Sequence, residues 1–327
     1  MGIDDLIVKV GRKIHSRFYP NYRRQIIRTD YFGNPILSEE QGNQEIAALL
    51  EADKPGLVCR FGSTEMFAMS NYTEIKSLEK ASAINKISRR IKGESPIWRE
   101  IVKHEMEYVS GFFPITDANL DKFVELYISL MPEIDILGVW HNYYEDIITR
   151  DFCPKAKLIP LTAIEPYYFE DPWSQHLENK KVLLVNYFSE SINNQFKNRE
   201  HLFQNKKVLP NFQLSTIKSV WSGTGVKTKY KDWFEAMDSM KEEIDKADYD
   251  VAIIGAGTYG FPLGAFVKQQ GKKAIHMGGA TQILFGIKGK RWDNFPAIKN
   301  LYNEYWNRPL LSEKPEGFNL LENGTFW

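Results

Sequence analysis

The chain reads as an α/β protein: a single Rossmann-like domain over 53–327 with a mostly parallel sheet, a helical N-terminal segment over 1–52 and a C-terminal wrap. Three observations predict this. Short apolar runs recur along the chain, separated by amphipathic stretches of helical length. Most of the runs lack alternation, as expected of strands buried on both faces of a parallel sheet. Turns of glycine and other small residues follow several of them, giving the strand–turn–helix order of doubly wound folds. At 327 residues, with 43% hydrophobic and 13% aromatic residues, the chain can bury one large core.

The N-terminus is basic and aromatic, with Lys9, Arg12, Lys13, Arg17, Arg23, Arg24 and Arg28. That pattern fits peripheral contact with an anionic membrane surface, and equally a partly solvated helix. An irregular polar stretch (TDYFGNPILSEEQG) leads to a helix over 43–51, and Asp53-Lys54-Pro55-Gly56 is a turn by its residue types. A buried strand over 56–61 then ends in Gly62-Ser63-Thr64-Glu65. Ser63 or Thr64 can cap the helix that follows, and Glu65 falls in its first turn, where the helix dipole favours a carboxylate.

Residues 79–107 are helical and charged, 107–113 form a candidate strand, and 120–130 a helix. A strand over 134–139 ends in Trp140-His141-Asn142-Tyr143-Tyr144-Glu145. Its rings suit the apolar face of a sugar and its polar groups suit hydroxyls, though a lone His141 is also an ordinary structural residue. A strand over 158–161 precedes a loop spaced by Pro160, Pro166 and Pro172. The strand over 181–186 ends in Asn186; Ser189 and Ser191, natural helix caps, follow it. A strand over 214–220, a polar loop at Trp221-Ser222-Gly223-Thr224 and an amphipathic helix over 232–246 lead to the centre of the molecule.

That centre is 249–292. A buried run from Val251 to Ile254 is followed by Gly255, Gly257 and Gly260 as a G-x-G-x-x-G, with Gly264 letting the next helix sit close to the sheet and Gly271 closing it. A strand over 273–277 leads to a second turn, Gly278-Gly279, and to the cations Lys288, Lys290 and Arg291. Such turns aim backbone N–H groups at a phosphate or carboxylate. A nicotinamide-dinucleotide site needs an acidic residue at the end of the second strand. Here His276-Met277-Gly278-Gly279-Ala280-Thr281 stands there, so no NAD is expected and a diphosphate is the favoured ligand.

Lys+Arg and Asp+Glu number 42 each, which gives no electrostatic footprint for nucleic acid. The two cysteines, Cys59 and Cys153, have neither metal-ligand spacing nor a disulfide framework. With no signal-peptide pattern and no apolar run of spanning length, a cytoplasmic protein is expected, peripheral to the membrane if the basic N-terminus binds it.

The strand ending Arg60-Phe61-Gly62-Ser63-Thr64-Glu65 (R-F-G-x-x-E), the middle strand leading to Ser189 and Ser191, and the late G-x-G-x-x-G together resemble bacterial glycosyltransferases of the GT-D fold. The C-terminal half resembles proteins encoded among capsule and surface-polysaccharide (O-antigen) genes, and the likeness runs over about 55–327. It implies transfer of a sugar from a nucleotide-diphosphate donor, a UDP-sugar first among them, to a glycan or lipid-linked glycan acceptor. The early motif of such enzymes reads Asp-x-Glu and is associated with Mg²⁺ or Mn²⁺. Here Ser63 stands at the Asp position, leaving Glu65 as sole protein ligand to a metal or as general base. Glu65 and His141 are the catalytic candidates. Arg60, Gly62, Ser63, Asn186, Ser189, Ser191, Gly255, Gly257, Gly260, Gly278, Gly279, Lys288 and Arg291 are the candidates for holding the donor. Two other classes stay open: a nucleotide-dependent sugar-modifying oxidoreductase and a non-catalytic glycan-binding subunit of a polysaccharide assembly complex.

Overall fold

The computed structural model describes residues 27–223, 226–315 and Gly324. The basic stretch from Lys9 to Arg24 lies outside these residues. A small antiparallel ribbon, β1 (Asp30–Tyr31) and β2 (Asn34–Pro35), comes first. The sheet is built from β3 (Gly56–Arg60), β4 (Ile136–Val139), β5 (Lys157–Pro160), β6 (Lys181–Asn186), β7 (Gln213–Lys218), β8 (Val251–Gly255) and β9 (Lys273–His276). Their order is β5-β4-β3-β9-β8-β6-β7, and every pairing is parallel.

Both faces are covered, as a parallel sheet requires. Successive strand residues point to opposite sides, so Leu57, Cys59, Leu183, Val185, Ala252 and Ile254 join one core. Val58, Ile136, Val182, Leu184, Ile253 and Ile275 join the other. Helices Ser63–Glu79, Asp117–Leu130, Trp233–Lys246 and Gly260–Gln269 supply apolar residues to the first core. Helices Glu39–Glu51 and Ser189–Phe196 supply the second, with the turns around Trp173 and Trp306. Cys59 and Cys153 are buried and reduced, acting as small core residues.

Two local results differ from the sequence reading. The helix expected over 43–51 begins at Glu39, because Ser38 and Gln41 form a reciprocal capping box. No strand forms over 107–113. Glu100–His104 instead continues into a π-helical turn, Glu105–Val109, burying Val102 and Met106 at helical spacing. In the C-terminal wrap a short turn, Leu311–Glu313, docks on the Ser189–Phe196 helix. Among the described residues no helix is long and apolar enough to cross a membrane.

The Gly260–Gln269 helix lies hard against β9 and β3. A Cβ on Gly264 would meet Leu57 Cδ1 at 2.8 Å, and one on Gly260 would meet the His276 ring at 2.1 Å. Gly260→Ala therefore overpacks a contact in which the ring is anchored to a strand and cannot retreat. It should lower the unfolding free energy by ~1–3 kcal/mol, read as a lower urea midpoint at unchanged m-value. An unchanged midpoint would show that the helix can move off the strand at no cost.

Candidate functional site

Parallel pairing brings the carboxyl ends of the strands to one edge. From β8 the chain passes to β9 on one side, while from β6 it passes to β7 on the other. Oppositely directed connections leave a crevice between neighbouring strands, the place where open α/β sheets bind ligands. A cleft of about 260 Å³ opens there, lined from the ends of β3, β9, β8, β6 and β7.

Arg60, the last residue of β3, stands in the cleft wall with its guanidinium 4.5 Å from the centre of the Trp140 ring. It has no ion-pair or side-chain hydrogen-bond partner among the described residues. After it, Gly62 is the N-cap of the Ser63–Glu79 helix and offers no side-chain cap. Ser63 is exposed at the rim. Glu65 is buried and folds back over Gly62, where a Cβ would lie 1.9 Å from its Oε2. The Thr64 hydroxyl donates to Glu65 Oε2 at 2.9 Å and also contacts Ser110 Oγ.

The glycine turns form the floor. Gly257 and Gly278 have φ of 55° and 60°, in the left-handed region that favours glycine. Gly255 leaves no room for a side chain, since a Cβ would meet Thr281 Oγ1 at 2.5 Å and Asn186 Nδ2 at 2.6 Å. The backbone of this turn is pinned from below: Tyr127 donates to the Thr258 carbonyl, and Trp233 Nε1 donates to Thr258 Oγ1 at 2.9 Å. Gly279 lies beside Gly278 in the lining, to which Arg291 also contributes.

Of the residues singled out in the sequence, Arg60, Gly62, Ser63, Glu65, Asn186, Gly255, Gly257, Gly278, Gly279 and Arg291 share this cleft. Asn186 has a structural task as well, donating to the Gly255 carbonyl at 2.9 Å and accepting from Phe188 N at 2.9 Å. The remaining five lie elsewhere. Ser189 and Ser191 start a helix whose N-terminus is already filled by Glu313, which accepts from Glu190 N at 2.9 Å, Ser191 N at 3.0 Å and the Ser191 hydroxyl. Gly260 is spent on the His276 contact. Lys288 lies over the Tyr302 ring, 5.3 Å from its centre. His141, at φ 55°, turns its ring edge-on to Tyr31, and partial burial lowers its pKa.

The stretch from Trp140 to Glu145 is also divided. Only Trp140 lines the cleft. Glu145 is fully buried and accepts from Trp140 N at 2.9 Å, Asn142 N at 3.3 Å and the Tyr31 hydroxyl at 2.9 Å. It shapes the loop from within, and is closed to sugar hydroxyls.

Sequence reasoning passed over His276, Tyr187 and Trp221. Tyr187 and Trp221 pack 5.0 Å apart at the β6 and β7 end of the cleft, with Lys218 over Tyr187. Their position just past strand ends was the available signal. His276 is buried beside Gly260, and its Nδ1 lies 3.2 Å from the Ile254 carbonyl, so Nδ1 carries the proton. Burial, with Arg60 nearby, pushes its pKa down to about 3.

Among the described residues no three His, Cys, Asp or Glu side chains converge as a metal site. At the early motif the donors are one carboxylate, already hydrogen-bonded to Thr64, and the hydroxyl of Ser63. That set does not fit a protein-held Mg²⁺ or Mn²⁺, which takes its protein ligands chiefly from carboxylate oxygens.

His276 gives a pH test. Its folded pKa, about 3, lies below the ordinary 6.5, so between those values the unfolded chain binds the extra proton. This contribution is whole above pH 6.5 and is lost as pH falls, with a slope of up to ~1.4 kcal/mol per unit. Urea unfolding at pH 7 and pH 5 should show a larger loss of stability for the wild type than for His276→Gln. Equal losses would mean that His276 is protonated in the fold.

No protein-family model matches the chain, and no curated protein matches it. Two solved structures align along nearly all of it. One, described as a selenomethionine-substituted domain of unknown function 1792, is 11% identical, covers 95% of this chain and 96% of its own, and has a TM-score of 0.46. The other, described as that highly conserved domain with a distinct glycosyltransferase fold, is 12% identical, covers 94% and 96%, and also has a TM-score of 0.46. A likeness of that degree carries no argument about activity.

Proposed function

We propose that the chain is a glycosyltransferase that takes a nucleoside-diphosphate sugar, a UDP-sugar first among them, and passes the sugar to a hydroxyl of a cell-surface glycan or its lipid-linked precursor. The observation that carries this is Arg60. A guanidinium at the carboxyl end of a central strand, without ion-pair partner among the described residues, faces two glycine turns and an uncapped helix N-terminus. Cation, backbone N–H groups and dipole all favour an anion. Trp140 on one side and Tyr187 with Trp221 on the other offer flat apolar surfaces for a sugar and a base.

In an inverting transfer the acceptor oxygen bonds to the anomeric carbon as the bond from that carbon to the diphosphate oxygen breaks. The electron pair leaves with the diphosphate, and the acceptor's proton goes to a base. Glu65 is the carboxylate in the cleft lining, and takes the proton. Arg60, Arg291 and the backbone of the glycine turns stabilise the charge that grows on the leaving diphosphate. Because the donor set does not fit a metal, no step is assigned to one.

Two measurements follow. Arg60→Ala should weaken UDP binding by ~1.5–3 kcal/mol, the scale of a hydrogen bond to a charged group, as read by titration calorimetry. Unaltered UDP affinity, or stabilisation of the protein by NAD with no response to any nucleoside diphosphate, would sink the reading. Glu65→Gln keeps the shape and removes the base. Turnover should fall by about 10²–10⁴-fold with UDP affinity little changed and with EDTA without effect on the wild type. Loss of wild-type activity in EDTA, restored by Mn²⁺, would instead make Glu65 a metal ligand.

A further inference from the structure

A second hollow of about 320 Å³ lies on the other side of the Ser63-Thr64 ridge, which it shares with the cleft. Phe67, Ile101 and Tyr143 make its apolar surface, and Glu105 and Asn142 contribute polar groups. We propose that this hollow is the acceptor's sugar subsite, holding an uncharged pyranose ring whose reactive hydroxyl crosses the ridge to Glu65. The inference rests on the transferase reading for its role, but not for its ligand chemistry.

The residue types select the ligand. A pyranose presents a C–H face that stacks on aromatic rings and a rim of hydroxyls that needs acceptors and donors. Phe67 and Tyr143 meet the first need, Glu105 and Asn142 the second. Glu105 has no ion-pair or side-chain hydrogen-bond partner among the described residues, so its acceptor oxygens are uncommitted. A second phosphate or nucleotide would be repelled by that carboxylate, and an alkyl chain would leave it desolvated without a partner. The ridge supplies the link to chemistry: Thr64 lines both spaces and donates to Glu65 Oε2 at 2.9 Å. A hydroxyl passing over Thr64 thus arrives beside the base, with the donor's cleft beyond it. Tyr143 and Asn142 belong to the loop that Glu145 holds from within, so the subsite stands on a fixed backbone.

The test is saturation-transfer NMR on the full chain with a panel of methyl hexopyranosides and methyl N-acetylhexosaminides, with and without UDP. At least one glycoside should receive transfer at its ring protons. That signal should fall by about fivefold to tenfold in Tyr143→Ala and Phe67→Ala, and persist in Tyr143→Phe and Arg60→Ala. Ile101→Asp, at a position 52% exposed where folding is not at stake, should also weaken it. UDP affinity should be the same in Tyr143→Ala as in wild type. No transfer to any glycoside, or transfer indifferent to Tyr143, Phe67 and Ile101, overturns the subsite. If UDP fails to bind while glycoside contact at Tyr143 holds, the donor reading falls and the sugar site stands. If UDP binds through Arg60 while the glycoside signal ignores the hollow, only the subsite falls.

Discussion

The contact between Gly260 and His276 sets much of what this molecule can do. It presses the Gly260–Gln269 helix onto β9 at a distance no other residue would permit, and that helix also touches β3 through Gly264. The packing buries the imidazole completely, and that burial together with the nearby Arg60 holds it neutral, against the pull of its hydrogen bond to the Ile254 carbonyl. A protonated ring there would repel the arginine beside it and compete for any anion. Keeping it neutral leaves the positive charge at the end of β3 with Arg60 alone. The geometry of the fold and the electrostatics of the cleft thus meet in one packing contact.

Helix and loop ends show the same division between structure and availability. The N-terminus of Ser189–Phe196 is filled by Glu313 from the C-terminal wrap, and the loop after β4 is filled by Glu145. Both use a fully buried carboxylate to satisfy several backbone N–H groups, the pattern expected where water is excluded. At Gly62 the Glu65 carboxylate lies close by, yet no side-chain hydrogen bond caps the helix start. The sheet thus has several strand ends that look equivalent in sequence, and long-range partners decide which of them stay open.

Legibility in the sequence followed that distinction. The strands were readable because a buried parallel strand is a local pattern, a short unbroken apolar run with a small-residue turn after it. The role of Gly264 was readable for a similar reason, since a glycine one turn into a helix after a strand has few other uses. What could not be read was occupancy. Ser189 and Ser191 carry the residue types of an anion site, and nothing within twenty positions shows that Glu313, more than a hundred residues on, fills it. The structural task of Asn186 is hidden in the sequence because its partner Gly255 is on another strand. Likewise, Lys288, Lys290 and Arg291 read as one basic cluster, yet of the three only Arg291 lines the cleft. Residues 107–113 form no strand because the helical spacing of Val102 and Met106 carries the chain on through a π-helical turn to Val109.

Ser63 gains meaning from the charge balance. The cleft is lined by Arg60 and Arg291 against one carboxylate, Glu65. An aspartate at 63 would make the count even and set two carboxylates at one helix start, where each raises the cost of ionising the other unless a cation sits between them. With serine the lining keeps an excess of positive charge, and backbone N–H groups at Gly62 and the glycine turns add to it. On the proposed function, a diphosphate entering this cleft would meet fixed arginines and dipoles in the position where a metal would otherwise carry the charge. Fixed groups need little reorganisation as charge moves onto the leaving oxygen. The same exchange ties the chemistry to the fold: Arg60 is aimed by Trp140 and by the register of β3 in the sheet, so a shift of that strand would misplace the charge as surely as loss of an ion.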